Sequence, residues 1–205
     1  MTYGCAIRSS RRDIPSQEAR TEHSAIAQDG QLDPGGGGPL AGAPATQERA
    51  GDPPPPLPPA VDVAVVGAGF GGLGCAIQLE RQGLRDFVVL ERAPSVGGTW
   101  GANTYPGCQC DVPSNLYSFS FAPKADWTHS YPEQPQIHAY LSDCARRFGI
   151  VDRIHLRCEM LAATWMAGER RWRIETSAGT LNARVLVAAP GLLSEPSLPR
   201  CYSPL

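Results

Sequence analysis

The stretch Val63–Gly83, VAVVGAGFGGLGCAIQLERQG, places five glycines between an apolar run and a segment with helical periodicity. Glycine costs backbone entropy in any regular element, so this cluster indicates a backbone path that a side chain would block. The run Asp62–Val66 is rich in β-branched residues without polar alternation, which is typical of a buried parallel strand. Apolar residues then recur at helical spacing as far as Gln82, and Gly83 is a suitable C-terminal cap.

The order of the glycines is that of a dinucleotide-binding turn. Gly67, Gly69 and Gly72 form a G-x-G-x-x-G pattern, and a second strand, Phe87–Glu91, ends in an acid nineteen residues beyond Gly72. The first glycine allows a tight bend, the second lets backbone N–H groups approach a pyrophosphate, and the third lets helix and strand pack closely. The helix N-terminus favours phosphate charge, and Glu91 can accept hydrogen bonds from a ribose. An acid there favours FAD or NAD over NADP; a glycine-rich turn of another α/β protein is the structural alternative.

The first 60 residues differ in composition from the rest of the chain. They hold ten of the twenty prolines and only one of the fifteen aromatic residues, Tyr3. Such a segment buries too little apolar surface to offset its chain entropy, so residues 1–60 are expected to be a disordered tail rich in proline and glycine. Residues 61–205 are then left to form a single domain.

Charge and cysteine content narrow the functional class. A net charge of −2 gives no indication of a nucleic-acid partner, and no apolar run is long enough for a secretory signal or a membrane span. Seven cysteines without paired metal spacing predict reduced thiols in a cytoplasmic protein that holds no metal. Cys108 and Cys110 form a C-x-C that fits neither a zinc nor a redox motif, and we expect them to be small packing residues.

Two further motifs follow the second strand in fixed order. They are ERAPSVGGTW, residues 91–100, and NTYPGCQCDVPSNLYSFSF, residues 103–121. With the glycine turn they resemble the flavin-containing and Baeyer–Villiger monooxygenase superfamily, over residues 61–199. The resemblance implies a Rossmann-like α/β FAD-binding domain, built from a parallel sheet with a β-meander, that is incomplete at its C-terminal side.

The resemblance also implies roles for individual residues. The FAD pyrophosphate and ribose would be held by Gly67, Gly69, Gly72 and Glu91, and the flavin half would lie along Gly98, Thr99 and Trp100. Asp111 is matched to an acid beside the flavin that helps to position a catalytic arginine, with a loop cap as its structural alternative. Met160 falls where backbone atoms hold the adenine. Tyr105 and Tyr117 are expected to pack in the core.

The remaining elements are expected to complete the domain. Pro135–Gly149 has the pattern of an amphipathic helix, with His138 off its apolar face and in solvent. A strand is expected within Arg153–Met160, followed by a three-strand meander that precedes a returning strand. At Ala189-Pro190-Gly191 the chain has proline where the family has threonine, which removes a backbone N–H and a hydroxyl near the cofactor.

Two functional classes stay open from the sequence. The first is the FAD-binding portion of an NADPH- and O2-dependent monooxygenase that acts on a ketone, sulfide or amine. The second is a non-catalytic dinucleotide-binding fragment or one half of a split enzyme. No second nucleotide-binding G-x-G-x-x-G and no family arginine motif follow, so we expect this chain alone to be inactive without a complementing C-terminal half.

Overall fold

The computed structural model describes residues 56–192 and 194. Most of the predicted tail, residues 1–55, lies outside the described residues. Regular structure begins at Ala60, the first residue of strand β1, and the carbonyl of Pro59 already accepts a hydrogen bond of 3.0 Å from the N–H of Asn182. Leu57 packs against the core. Residues 57–60 are thus attached to the domain that follows, although composition alone groups them with the tail.

The described residues form one six-stranded sheet with helices, as the resemblance predicted. The strands lie in the order β3-β2-β1-β6-β5-β4, with β1, β2, β3 and β6 parallel and β4, β5 and β6 antiparallel. The strands are β1 Ala60–Val66, β2 Phe87–Leu90, β3 Ile154–His155, β4 Met160–Met166, β5 Arg171–Thr176 and β6 Gly179–Ala188. The helices are α1 Phe70–Arg81, α2 Thr99–Ala102 and α3 Gln134–Arg147, with 3-10 turns at Ser114–Leu116 and Val151–Arg153.

Strand β1 is buried on both faces, which explains its lack of polar alternation. Val65 belongs to a core formed with α1 and α3, whereas Ala64 belongs to a second core with β5 and β6. The first core is the larger, and its fully buried side chains include Leu73, Ile77, Ile137 and Leu141. Burying one such side chain contributes roughly 1.5–3 kcal/mol, so α1 and α3 are fixed against the sheet by their apolar faces.

The predicted helices are confirmed with small shifts at their ends. Helix α1 ends at Arg81, one residue before the predicted limit, and α3 begins at Gln134 and ends at Arg147. The strand expected within Arg153–Met160 is confirmed but short: β3 covers Ile154–His155, and Met160 already opens β4. Arg157 has a φ of 54°, which turns the chain out of the extended path.

Strand β6 completes the predicted meander and has a second neighbour as well. The three-strand meander expected from the sequence is confirmed as β4, β5 and β6, which pair antiparallel in that order. Strand β6 pairs with β5 at Trp172↔Ala183 and with β1 at Val66↔Ala188. The last strand of the meander is therefore itself the strand that returns to the centre of the sheet.

Candidate functional site

The glycine turn between β1 and α1 is closed by backbone contacts that exclude side chains. A β-carbon on Gly72 would overlap the carbonyl oxygen of Gly67 and lie 2.9 Å from its carbonyl carbon. Gly67 has a φ of +96°, and a β-carbon there would overlap the carbonyl of Ala189. The N–H of Ala189 donates a hydrogen bond of 2.9 Å to the carbonyl oxygen of Val66. Pro190 follows at 3.5 Å from the same β-carbon position. The segment Ala189-Pro190 thus lies directly against the turn.

Gly69 has a different environment, since it faces a second glycine turn. A β-carbon on Gly69 would lie 3.5 Å from the Cα of Gly98, an ordinary contact, and one on Gly98 would lie 3.0 Å from the Cα of Gly69. The Gly97 N–H donates 2.9 Å to the carbonyl of Ala68, which ties the two turns together. Two backbone segments without side chains therefore lie side by side at the start of α1.

The N-terminus of α1 is suited to an anion. Its first turn, Phe70–Leu73, carries no acidic residue, and no side chain of the described residues caps it at Gly69. The leading N–H groups of a helix have no intrahelical acceptor and lie at the positive end of its dipole. Together with the bare backbone of Gly69 and Gly98, this end of the helix can accept a phosphate or pyrophosphate group.

Glu91 lies directly after β2, one residue past the end of the strand that was predicted to include it, and is only 7% exposed. One carboxylate oxygen accepts a hydrogen bond of 2.6 Å from the Ala68 N–H, and the other accepts one of 2.8 Å from the Ala93 N–H. Sequence reasoning missed this structural task, in which the acid joins the glycine turn to the loop after β2. Each oxygen retains a lone pair that can accept from a ligand hydroxyl.

We expect Glu91→Gln to destabilise the fold by roughly 1–3 kcal/mol. The glutamine amide offers a single acceptor oxygen, so one of the N–H groups of Ala68 and Ala93 faces an NH2 group and loses its partner. Urea unfolding followed by circular dichroism measures the change, with the exposed Glu159→Gln as the control. Equal stability of the two variants would contradict the linking role of Glu91.

Trp100 joins the second glycine turn to the loop that carries Asp111. Its indole N–H donates 2.9 Å to the hydroxyl of Tyr117, whose ring packs edge-on against Phe70 of α1 at 5.0 Å. Burial raises the pKa of the Tyr117 hydroxyl; the hydrogen bond from Trp100 lowers it, and the charges of Cys110 and Asp111 raise it further. Asp111 itself is exposed and accepts a long hydrogen bond, 3.9 Å, from the Cys110 thiol. The structure therefore brings Trp100, Tyr117 and the Asp111 loop together beside α1.

Two further predicted site residues are Thr99 and Met160. Thr99 is exposed at the first position of α2. Met160 opens β4 and packs against the second core, two residues after Cys158, whose N–H donates 2.8 Å to the carbonyl of Glu91. This bond places the start of β4 beside the end of β2, where the acid lies.

Four side chains test the predictions about packing and exposure. Cys108 and Cys110 are buried, which confirms them as packing residues. Tyr105 is 62% exposed, so its assignment to the core was wrong; it lies in an irregular loop outside both clusters. The prediction that His138 lies in solvent was also wrong, because its ring is partly buried and Nε2 lies 3.0 Å from the Val96 carbonyl oxygen. Gln134, which the sequence did not single out, bonds the Trp100 carbonyl.

A separate open cleft lies on the sheet away from the glycine turns. It has a volume of about 710 Å3 and is lined by side chains of β1, β6 and the β4–β5 hairpin, among them Trp165, Arg171, Arg184 and Val185. Val185 is 50% exposed and Trp165 is 46% exposed, so apolar surface of the sheet is left open here. Among the described residues no cluster has the composition of a metal site, and no helix has the length and apolarity to cross a membrane.

Comparisons with known proteins show what this chain is similar to. The NAD(P)-binding Rossmann-like domain family matches residues 65–142. A Baeyer–Villiger monooxygenase of Streptomyces coelicolor is 54% identical over 139 residues, which are 68% of this chain and 27% of that protein. These residues are homologous to the N-terminal part of Baeyer–Villiger monooxygenases. The resemblance seen in the sequence is thus confirmed.

Solved structures show the same similarity. Oxidised steroid monooxygenase bound to NADP is 39% identical with a TM-score of 0.65, over 68% of this chain and 28% of that one. Cyclohexanone-bound cyclohexanone monooxygenase is 34% identical with a TM-score of 0.64, over 69% and 28% respectively. The chain therefore spans about a quarter of the length of the Baeyer–Villiger monooxygenases that it matches.

Proposed function

We propose that this chain is the FAD-binding portion of an NADPH- and O2-dependent Baeyer–Villiger monooxygenase. The observation that carries the proposal is the pair of glycine turns at the N-terminus of α1, where Gly69 and Gly98 present bare backbone to each other. A cofactor with a pyrophosphate fits this arrangement, because N–H groups and the helix dipole meet it without an intervening side chain. Membership of the homologous family favours FAD as that cofactor.

Each residue near the turns has a proposed task toward the cofactor. Gly69 and the α1 N-terminus bind the pyrophosphate, while Gly67 and Gly72 hold the turn closed. Bound flavin supplies hydride acceptance and oxygen activation, chemistry that no side chain provides. The ribose is bound by Glu91, the adenine by backbone at Met160, and the flavin half by Gly98, Thr99 and Trp100. Asp111, exposed beside Tyr117, is free to orient an arginine from a further segment through paired hydrogen bonds.

NADPH binding and a closed substrate site are proposed to come from further polypeptide, in the same chain or as a complementing C-terminal half. The sequence has no G-x-G-x-x-G outside the single cluster at 67–74, and the matched relatives are about four times the length of the matched region. The open cleft with half-exposed Val185 and Trp165 offers apolar surface on which such a segment can pack. A ketone is the proposed substrate, in line with the cyclohexanone-bound neighbour.

Cofactor choice is tested by reconstitution. The purified chain mixed with excess FAD and then desalted is expected to retain flavin, with its visible absorbance bands, and to release FAD on denaturation. NADPH at the same concentration is expected not to displace it, because the carboxylate of Glu91 disfavours a ribose 2′-phosphate. NAD is expected not to displace it because the matched relatives include FAD-binding monooxygenases. Retention of NAD in place of flavin would contradict the proposal.

Activity separates the proposed function from the non-catalytic alternative. The FAD-loaded chain alone is expected to show no substrate-dependent NADPH oxidation, because the nicotinamide must be held against the flavin and water must be excluded. Adding the remaining part of the Streptomyces coelicolor relative, fused or separate, is expected to give ketone-dependent oxygen uptake. Turnover of about one per second by the chain alone would contradict this division of tasks. A chain that binds FAD but stays inactive with any complement would be a non-catalytic module. Sulfides and amines, tried as substrates in the same assay, test whether the complemented protein oxygenates heteroatoms instead of ketones.

The thiols favour a reducing compartment for this function. The described cysteines at positions 75, 108, 110, 144 and 158 are all free. Burial raises the pKa of the Cys75 thiol, and burial is also the main cause of the raised pKa of the Cys144 thiol. Both groups therefore stay protonated and unreactive. We therefore propose a cytoplasmic location, where such thiols persist.

A further inference from the structure

Helix α3 holds the second glycine turn by two side chains. His138 Nε2 lies 3.0 Å from the carbonyl oxygen of Val96, just before the turn, and Gln134 Nε2 donates to the carbonyl of Trp100, just after it. The two residues are four apart on α3 and so lie on the same face of the helix. Both ends of the segment 96–100 are therefore bonded to α3.

The ring of His138 also packs against the glycine itself. A β-carbon on Gly97 would lie 2.8 Å from His138 Cδ2, so the imidazole edge covers the Cα of this residue. Gly97 has a φ of +123°, and its N–H donates 2.9 Å to the carbonyl of Ala68. Ala68 belongs to the first glycine turn, so the contact with His138 continues into the pyrophosphate-binding backbone.

The hydrogen bond to Val96 defines which ring nitrogen of His138 carries a proton. The Val96 carbonyl oxygen can only accept, so Nε2 must carry a proton and donate it. In neutral imidazole this leaves Nδ1 without a proton. A side chain with an N–H at a similar reach can replace the donor, whereas an aliphatic side chain cannot.

We propose that His138 is a positioning residue that fixes the Val96–Gly98 turn against Gly69 before the cofactor binds. Gly98 follows Gly97 directly, and a β-carbon on Gly98 would lie 3.0 Å from the Cα of Gly69. A shift of this turn by an ångström changes the gap in which the proposed FAD backbone contacts lie. The inference rests on the proposed function for its ligand, while its effect on the turn holds without ligand.

The test compares His138→Leu and His138→Gln in the full chain, with His129→Leu as the control. The side chain of His129 is exposed and bonds only Thr128 Oγ1 among the hydrogen bonds described. Amide hydrogen exchange of the peptide covering residues 94–102 is measured without FAD, and the FAD dissociation constant is measured by fluorescence titration. His138→Leu is expected to raise the exchange rate of that peptide and to weaken FAD binding roughly fivefold to tenfold. His138→Gln is expected to recover most of both losses.

The outcomes test two claims separately, the positioning role of His138 and the proposed binding of FAD. Unchanged exchange and affinity in His138→Leu would overturn the positioning role, and so would a glutamine variant as impaired as the leucine variant. If the unaltered chain binds no FAD, the proposed function fails, and the exchange comparison alone still decides the role of His138. If His138→Leu does not fold, His138→Ala replaces it, with the same expected losses and the same glutamine recovery.

Discussion

Replacement of Gly72 by alanine is expected to prevent stable folding of the domain. The new β-carbon would overlap the Gly67 carbonyl oxygen, which is backbone and cannot rotate away. Gly67 is also held in place, since its N–H donates a hydrogen bond of 2.8 Å to the carbonyl of Leu90 and a β-carbon on it would lie 2.4 Å from the Ala189 carbonyl oxygen. We expect a loss of more than about 4 kcal/mol, a large part of the stability of an ordinary domain. Circular dichroism and urea unfolding of the purified variant measure it.

The neighbouring glycine is the matched control. A β-carbon on Gly71 would lie 3.6 Å from the β-carbon of Ala189, which is an ordinary contact. Gly71 lies in α1, where alanine is favoured over glycine by about 1 kcal/mol. Gly71→Ala is therefore expected to fold with unchanged or slightly raised stability. Equal behaviour of the two alanine variants would show that the close contact of Gly72 with Gly67 does not govern the turn.

Replacement of Gly69 by valine is expected to leave the domain folded and to abolish FAD binding. Gly69 has φ −82° and ψ −167°, an extended conformation that valine adopts without strain, and its β-carbon would make only an ordinary contact with Gly98. The valine methyl groups would instead fill the space between the two glycine turns, which the proposed pyrophosphate needs. We expect at least a hundredfold weaker binding, about 2.7 kcal/mol, in the fluorescence titration.

The same substitution at Gly168 is the control for Gly69→Val. Gly168 lies between β4 and β5, and a β-carbon there would have nothing within 4 Å. Gly168→Val is expected to keep FAD affinity unchanged. A folded Gly69→Val protein with the affinity of the Gly168→Val protein would place the phosphate site elsewhere.

The glycine motif could be predicted from the sequence because its requirements are local. Each of Gly67, Gly69 and Gly72 serves a turn of six residues, and the strand and helix on either side show in the spacing of apolar residues. Glu91 was located by the same order of motifs. Its hydrogen bond to Ala68, 23 residues earlier, depends on how β1 and β2 lie side by side, which spacing does not specify.

His138 shows what periodicity leaves out. The spacing of apolar residues predicted the apolar face of α3, and His138, which lies off that face, was expected in solvent. The structure places it against Val96, 42 residues earlier, in a polar contact at the edge of the core. Apolar patterns report which residues avoid water, whereas a side chain that bonds a distant carbonyl leaves no regular signal.

The double pairing of β6 also escaped prediction for a physical reason. Alternation and β-branched residues favour a strand but do not identify its neighbours. The segment RVLVA, residues 184–188, has a composition that suits both a strand that ends a meander and a strand within a parallel sheet. Only the register, with Val187 opposite Val65, distinguishes the two arrangements.

The position of β6 has a consequence for biosynthesis. Strand β1 pairs with residues about 120 positions later, so the central pair of the sheet closes a long loop and depends on non-local contacts. On the ribosome, β1 and α1 emerge early, yet Gly67 meets Ala189 only after β6 has left the exit tunnel. The nascent chain must therefore protect the apolar strand β1 during the synthesis of more than half of the protein. Premature termination before residue 182 removes one of the two neighbours of β1 and exposes that edge of the strand to aggregation or proteolysis.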